Sequence, residues 1–502
     1  PYDIRQGNFV GAGVNAVTRS GTNNFEGSLY YIARNERFNG TQAGLNEVPR
    51  GTFDFGQVGV RLGGPIIRNK LFFFANFEDD RLRQPGTLFR PRADASVPNV
   101  GNVTRVLESD VTRLATFLRD TLGYEPGTAG NWTNEVPSRR YLAKVDFNAN
   151  DRNKFSFRYT QLRSVADINP SGSNALGFGN RLNNNALSFS NSRYGLLENI
   201  DSYVGEWNAN YGRIANNLIV GYTENDESRV PRGAFFPTVD ILDNQQTYLN
   251  FGFEPFTPAN QLRYKSFQVQ NNLQIFLNKH ELTFGGFFER YNSENVFFPG
   301  SQGVWTYNSL DDFLTDARGF VANPNRTTAA VQARRFQYRF NNIPGQTEPL
   351  QPLEVNSTGL YAQDQWRPNE RVTLTFGVRA DLPVLSAPAF VNAEANGRAF
   401  ADPTGAAVRF RTQDLPESRV LFSPRFGFNW DVRGDRSTQI RGGTGVFTGR
   451  PPFVWISNQL GQNGILTGLI EVDSTTAFPF TDDPRRYAPG QVTGQPAPTY
   501  EL

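Results

Sequence analysis

The chain has 502 residues, with 50 Lys plus Arg against 48 Asp plus Glu, which gives a formal net charge of +2. This balance offers no general electrostatic field for nucleic acid. There is no cysteine and only one histidine, His280, which excludes disulfides, cysteine nucleophiles and multi-histidine metal sites. No apolar run of about 18 residues occurs, so the sequence predicts no membrane-spanning helix.

Strand signals begin with an unpaired strand near residues 25–34 and then recur in pairs. A strand is recognised by apolar residues at every second position, because successive side chains point to opposite faces of the pleat. The two strands of a pair are joined by a short connection with Asn, Asp, Gly or Pro, which is typical of a β-hairpin. The six predicted hairpins join 57–62 to 71–78, 141–148 to 154–159, 203–211 to 217–224, 267–277 to 282–288, 357–367 to 372–382, and 426–430 to 437–447.

The stretch VTLTFGVRAD, residues 372–381, alternates over about twice the usual strand length. One side carries Val, Leu, Phe, Val and Ala, and the other carries Thr, Thr, Gly, Arg and Asp. A strand of about eleven residues, rising ~3.3 Å per residue and tilted by ~45°, crosses roughly 25 Å, the height of the apolar band of a membrane barrel. Strand length therefore favours a membrane barrel over a soluble sheet.

The connections between hairpins are long and rich in Gly, Pro, Asn and Arg: 81–138, 165–200, 225–265, 292–356 and 383–419. Short turns and long loops alternate along the chain. In an up-and-down sheet this places every short turn at one end and every long loop at the other, as in outer-membrane barrels with short periplasmic turns and long extracellular loops.

Charged residues predict which face of the strands is wet. An Arg or Lys placed against lipid at mid-depth costs about 2–4 kcal/mol, so Arg61, Lys144, Arg158 and Arg379 are expected to face a lumen filled with water or protein. The apolar face then meets lipid. The alternative is a soluble antiparallel sandwich whose apolar face is its core.

About thirteen strands are predicted, whereas bacterial single-chain barrels have even numbers, so we expect further strands after Leu502. Two long loops carry helical patterns. Residues 107–124 space Val and Leu three or four apart, and SLDDFLTDARG has Ser309 as N-cap and Gly319 as the expected stop. We interpret both as small helices over the barrel mouth; a partner-binding helix is the alternative.

A dinucleotide-like motif, VGAGVNAV at residues 10–17, lacks the preceding buried strand and following helix that phosphate binding needs. Nor does the sequence show an assembled nucleophile, base or metal constellation. We therefore expect no cofactor, no metal site and no enzymatic activity.

Several blocks resemble a known family. These are GAGVNAVTRSGTNNFEGSLYYIARN, LGGPIIRNKLFFFANFED, YLAKVDFNANDRNKFSFRYT, GLYAQDQWRPNERVTLTFGVRADLP and SPRFGFNWDVRGDRSTQIRGGTGVF. Together they are similar to TonB-dependent outer-membrane receptors of the Oar-like group, which carry a carboxypeptidase-regulatory-like domain. The resemblance covers most of the strands, and the loops match nothing we can name.

The resemblance implies an all-β, transmembrane, antiparallel up-and-down barrel of 22 strands in the full protein, occluded by a plug. Residues 1–21 would be the end of the plug and its linker, with 11–19 as the last plug strand. Residues 22–502 would be the barrel domain without its last strands. The implied partners are outer-membrane lipid and the TonB–ExbB–ExbD system, reached through a plug segment outside this sequence.

The sequence thus predicts a Gram-negative outer-membrane transporter that binds a substrate with its external loops and imports it through a plugged barrel. The substrate stays open among a glycan, a peptide and a chelate. Alternatives are a surface adhesion or structural protein and a passive porin. The residues expected to face the lumen, and to meet plug or substrate, are Arg61, Lys144, Asp146, Arg158, Gln363, Gln365, Arg379 and Asp381. For each one singly, bonding to the plug or to a neighbouring side chain is the favoured role.

Overall fold

A computed structural model describes residues 3–7, 16–47, 51–388, 390–490 and 494–497. Its main sheet is built from long antiparallel strands that follow one another in chain order. A short strand, Arg229–Pro231, pairs at the side of the long strand Tyr194–Asn210. The long strands are β1 (Glu26–Asn35), β2 (Asp54–Ile67), β3 (Leu71–Pro85), β4 (Thr133–Asn148), β5 (Asn153–Ile168), β6 (Tyr194–Asn210), β7 (Ile214–Asp226), β8 (Gln261–Phe276), β9 (His280–Val296), β10 (Leu350–Asn369), β11 (Val372–Ser386), β12 (Leu421–Asp431) and β13 (Gln439–Gly445).

The strand order confirms the prediction of an up-and-down sheet. Short connections such as 149–152 and 277–279 join the strands at one end, and long ones such as 86–132 and 297–349 join them at the other. Several strands are longer than predicted: β9 runs to Val296, and β10 begins at Leu350.

One face of this sheet is apolar and exposed. Val60, Phe157, Leu360 and Val378 keep 44, 52, 66 and 47% of their surface accessible, whereas Arg379, on the opposite face beside Val378, keeps 1%. A soluble sandwich would bury the apolar face against a second sheet. Within the described residues nothing covers it, so this outer face is the one that meets lipid.

Polar side chains replace the apolar ones on the outer face toward the long-loop end. Lys265 Nζ lies 3.2 Å from a carboxylate oxygen of Glu224, and Arg290 Nη2 lies 2.8 Å from one of Glu354. Paired charges of this kind belong in water or among lipid headgroups rather than in hydrocarbon. They mark the upper limit of the apolar band.

The long loops fold together into a second sheet, which the sequence did not predict. Its order is Leu187–Ser188, Gln246–Phe251, Thr238–Asp243, Val304–Tyr307, Ala333–Asn341 and Thr467–Thr475. Helices α1 (Glu108–Leu122) and α2 (Leu310–Ala322) pack with this sheet around a core that includes the buried Trp305, Phe313 and Phe336. We call this unit the loop domain.

Both predicted helices are present. Ser309 caps α2 as expected, since its hydroxyl accepts the Asp312 N–H at 3.1 Å. The expected stop at Gly319 is wrong: Gly319 lies within α2, which continues to Ala322 with Asn323 as its C-cap. The helix α1 ends at Gly123, whose φ of 65° is the left-handed conformation typical of a helix C-terminus.

The remaining elements are short. Two further helices are α3 (Ala393–Gly397) and α4 (Phe453–Gln462). None of the helices in the described part of the chain is long and apolar enough to cross a membrane. The small strand pairs are Gln42–Ala43 with Asn46–Glu47, Arg90–Arg92 with Val103–Leu107, and Phe400–Ala401 with Ala407–Val408; the 3₁₀ helices are Glu36–Phe38, Ser190–Ser192 and Pro484–Tyr487.

The expected last plug strand, 11–19, falls largely outside the described residues. Residues 16–19, which are described, form no strand. The first barrel strand begins at Glu26, one residue after the predicted start.

Candidate functional site on the inner wall

The face opposite the exposed apolar side chains is the inner wall, and a short N-terminal segment lies against it. Ile4 of this segment, residues 3–7, is fully buried. A Cβ added at Gly377 of β11 would lie 3.1 Å from Ile4 Cδ1. Glycine at this position therefore leaves room for the isoleucine side chain.

Arg379 and Asp381 form a buried pair beneath this segment. They lie two residues apart on β11 and so share one face. Arg379 Nη2 is 2.8 Å from Asp381 Oδ1, and Nη1 donates weakly to the carbonyl oxygens of Ile4 and Arg5, each at 3.4 Å. The guanidinium also lies 4.9 Å from the ring centroid of Tyr361. A charge-assisted contact thus joins strand β11 to the N-terminal segment.

Arg425 of β12 makes the closest contacts to the segment, and the sequence analysis did not select it. Its Nη1 donates to the Asp3 carbonyl at 2.7 Å and its Nη2 to the Gln6 carbonyl at 2.9 Å. Arg425 alternates with Phe426 on the strand, so the period-two pattern contained the signal for its inward position.

Gln270 of β8 is the third wall residue that contacts the N-terminal segment, and it was not among the residues predicted from the sequence. Its side-chain amide donates to the Arg5 carbonyl at 3.1 Å and to the Tyr361 hydroxyl at 3.0 Å. Tyr361 in turn donates to Asn272 Oδ1 at 2.6 Å. The wall therefore recognises successive main-chain carbonyls of the segment rather than its side chains.

Within the segment, Asp3 and Arg5 form their own ion pair, with Nη2 and Oδ2 2.5 Å apart. Burial by itself would raise the pKa of Asp3, but the hydrogen bonds and positive charge of Arg5 outweigh it, and the pKa is lowered. Asp3 is therefore a carboxylate at neutral pH, which maintains its ion pair with Arg5.

Four of the predicted lumen residues lie in a separate group on strands β2, β4 and β5: Arg61, Lys144, Asp146 and Arg158. Lys144 Nζ is 3.3 Å from Asp146 Oδ1 and donates to the Ser20 hydroxyl at 2.8 Å. Arg61 Nε donates to the Ser28 hydroxyl at 2.8 Å. Arg158 is opposite Lys144 in the β4–β5 register. This group thus contacts the linker before β1 and the first strand.

The linker is closely packed against the short-turn end of the sheet. Asn23 and Asn69 bond through their side chains at 2.6 Å. A Cβ at Gly21 would lie 2.3 Å from the Phe73 carbonyl oxygen. A larger residue at position 21 would therefore displace the linker from β3.

The other four candidates lie on β10 and β11. Gln363 and Gln365 are paired in register with Gly377 and Thr375. Both glutamines are half-buried, and neither has a side-chain hydrogen bond within the described residues. The sheet thus brings Arg379 and Asp381 into contact, places the glutamines on the next strand, and holds the Arg61 group apart. Roles of all eight in plug or substrate contact stay predictions.

The upper part of the inner wall is covered by α4 and the residues before it. Arg450 Nη1 lies 3.0 Å from Glu289 Oε2, and its guanidinium is 4.4 Å from the Phe453 ring centroid. Phe453 packs on Tyr291 with ring centroids 5.1 Å apart. This cover was not predicted, because residues 450–462 carry no strand pattern.

Long antiparallel strands in chain order, short turns at one end, folded loops at the other and an apolar outer face define this chain as the wall of a transmembrane β-barrel. The chain belongs to the outer membrane beta barrel domain family, whose sequence model matches residues 17–501. Its location is therefore the bacterial outer membrane, as predicted.

Comparison with known proteins gives relatives among transporters. A segment of 159 residues is 31% identical to the TonB-dependent transporter Oar of Myxococcus xanthus, covering 30% of this chain and 14% of that protein. The outer membrane transporter YddB from Escherichia coli matches 86% of this chain and 44% of its own length, with 11% identity and a TM-score of 0.48. The ferric enterobactin receptor PfeA from Pseudomonas aeruginosa matches 92% and 50%, with 12% identity and a TM-score of 0.44.

The chain thus spans half or less of the length of these relatives. The name of Oar is that of a transporter rather than an enzyme, in agreement with the expectation that the protein is not an enzyme. The likeness to Oar agrees with the resemblance found in the sequence.

Proposed function

We propose that this chain is the barrel part of a TonB-dependent outer-membrane transporter. In this proposal the loop domain binds a substrate, and the lumen passes the substrate inward when a plug moves. The likeness to Oar supports the proposal. The observation that carries it is the contact of residues 3–7 with the inner wall, through Gln270, Arg379 and Arg425.

The hydrogen bonds between the inner wall and residues 3–7 are suited to a segment that is bound at rest and released when the plug moves. The wall donates to the carbonyls of residues 3–6. The two short bonds from Arg425, as bonds to a charged donor, contribute about 1.5–3 kcal/mol each, and the 3.4 Å bonds from Arg379 contribute less. Bonds of this size hold the segment at rest but break one after another under a pull along the chain. Residues 1–21 would then belong to the plug and its linker, and 22–502 to the barrel, which reaches 22 strands in the full protein.

The pull would come from TonB, energised by ExbB and ExbD, acting on a plug segment upstream of this sequence. A barrel of that width needs a plug because its open lumen would otherwise leak. Outer-membrane lipid is the partner of the apolar outer face.

Cysteine labelling at position 4 tests the proposal without knowledge of the substrate. The chain contains no native cysteine, so Ile4→Cys introduces a single thiol at a fully buried position. In cells with energised TonB, a small membrane-permeable maleimide is expected to label this introduced thiol faster than in cells lacking TonB. Val17→Cys, 92% exposed in the linker, is the control and should react equally in both.

Equal labelling of the thiol at position 4 with and without TonB would remove the transporter proposal. An adhesion or structural protein predicts that equal result. A passive porin predicts it as well, together with single-channel conductance of the purified protein in planar bilayers.

A further inference from the structure

A cleft of about 570 Å³ opens in the loop domain, and none of its described lining residues belongs to the inner wall. It lies between the loop 174–185, the turn at 245–247 and the strand that carries Arg334 and Arg335. The volume is within the range of about 300–1,000 Å³ that is usual for small-molecule sites.

One wall of the cleft is held rigid by an ion pair, Arg181 with Asp240, in which both side chains are fully buried. Arg181 donates to both carboxylate oxygens at 2.8 and 2.9 Å, and to the carbonyls of Ser171 and Leu176 at 2.8 and 2.5 Å. The Asp240 carboxylate also accepts the Phe178 N–H at 2.8 Å. The loop is therefore fixed in shape before any ligand arrives, which lowers the entropy cost of binding.

The lining is dominated by amides that are open to the cleft. Asn174, Asn180, Gln245 and Gln246 make no side-chain hydrogen bond within the part of the chain that the structure describes. Each amide offers donors and an acceptor side by side. This is the pattern that complements hydroxyl groups, which also donate and accept.

The remaining lining residues favour a neutral polar ligand or one with few charges; of the two arginines, Arg334 lies with its guanidinium 6.0 Å from the Phe178 ring centroid. Arg335 is held by Asp473 through two bonds of 2.7 and 3.1 Å, so much of its charge is already neutralised. Phe178 is the only aromatic residue among the described lining, so the cleft offers a single aromatic surface. No described carboxylate, imidazole or thiol lines the cleft to ligate a metal.

We propose that this cleft binds an oligosaccharide through the amides of Asn174, Asn180, Gln245 and Gln246. The proposal chooses the glycan among the three substrate classes that the sequence left open. That the bound glycan is also the transported substrate rests on the proposed function, but binding of the glycan to the cleft does not.

The test is binding of the purified protein, in detergent, to an array of neutral and acidic oligosaccharides, followed by calorimetry with the best binder. The double variant Asn174→Ala/Gln246→Ala should weaken that binding about tenfold or more, since two hydrogen bonds are lost. Asn99→Ala, an exposed loop amide that does not line the cleft, should leave it unchanged. Protection of the loop-domain amides against hydrogen exchange checks that both variants are folded.

Binding that is lost only in the cleft variant supports the proposal. The proposal is overturned if no oligosaccharide binds, or if the double variant binds the oligosaccharide as well as the parent does. It is also overturned if a tetrapeptide or a ferric catecholate, rather than an oligosaccharide, is the ligand whose binding depends on these amides. Because calorimetry needs no TonB, binding together with TonB-independent labelling of the Ile4→Cys variant would remove the transport function alone.

Discussion

The buried Arg181–Asp240 pair gives the sharpest prediction for the loop domain. Arg181→Met keeps the length of the side chain but leaves the Asp240 carboxylate without its cation at a site with no solvent exposure. Among the described residues, Asp240 would keep only uncharged donors, the Phe178 N–H and the Asn250 amide, each at 2.8 Å. Removing one partner of a buried pair costs about 3–5 kcal/mol.

That loss is a large share of the roughly 5–15 kcal/mol by which whole domains are stable. It should therefore appear as opening of the six-stranded sheet. In hydrogen exchange followed by mass spectrometry, amides of Thr238–Asp243 should exchange roughly a hundred to several thousand times faster, at about 1.4 kcal/mol per tenfold. Amides of β8–β11 should exchange as before.

The matched control is Arg113→Met. Arg113 pairs with Asp311 at 2.6 Å, but the two side chains are 48 and 74% exposed, and such surface pairs contribute about 1 kcal/mol or less. Equal exchange in the Arg181 and Arg113 variants would refute the view that the buried pair organises the loop domain.

Three further predictions concern the barrel, the loop domain and the inner wall. Val378→Arg, on the outer face, should lower barrel stability by about 2–4 kcal/mol in urea unfolding from vesicles. The inner-face variant Thr375→Arg should lower it clearly less. Equal losses would contradict the assignment of the outer and inner faces. Glu254 follows the loop-domain strand Gln246–Phe251 and is buried. Burial raises the pKa of Glu254 above its ordinary 4.5, so its contribution to loop-domain stability is complete below pH 4.5 and is lost as pH rises through the raised pKa. Thermal scans from pH 4 to 8 should show this decline, and Glu254→Gln should flatten it; an unchanged slope would show that other groups cause it. Arg379→Met, which removes a donor to the Ile4 and Arg5 carbonyls, should raise maleimide labelling of the Ile4→Cys thiol about tenfold in cells without TonB, and unchanged labelling would mean that Arg379 does not hold the segment.

The barrel could be predicted from the sequence because lipid imposes a period of two. Strand β11 was expected at 372–382 and observed at Val372–Ser386. Strand β9 runs eight residues past its predicted end because the pattern fades where the outer positions become polar, at Arg290 and Glu294, while backbone pairing continues. The apolar alternation therefore marks the part of a strand that lies in the membrane, not the full length of the strand.

The loop domain could not be predicted in the same way. Val304–Tyr307 is buried at every position and so shows no alternation. It pairs in parallel with Thr238–Asp243, more than sixty residues earlier in the chain. Such pairing depends on packing between distant segments rather than on a local signal.

The inner wall could be predicted from the sequence only in part. The inward position of Arg425 and Gln270 follows from their apolar neighbours on the strands, so both belonged among the candidates. Their partners did not follow, because Arg425 contacts Asp3, 422 residues earlier. A pattern of faces gives the direction of a side chain but not what docks against it.

The most direct test of the account is a nitroxide scan of residues 372–381, one introduced cysteine at a time, in the protein embedded in lipid. The absence of native cysteine makes each label unique. Labels at 374, 376, 378 and 380 should collide with dissolved oxygen, which concentrates in lipid, and labels at 373, 375, 377 and 379 should not. If both sets show the same low oxygen contact, the apolar face is packed against protein, and the assignment of lipid to the outer face is contradicted.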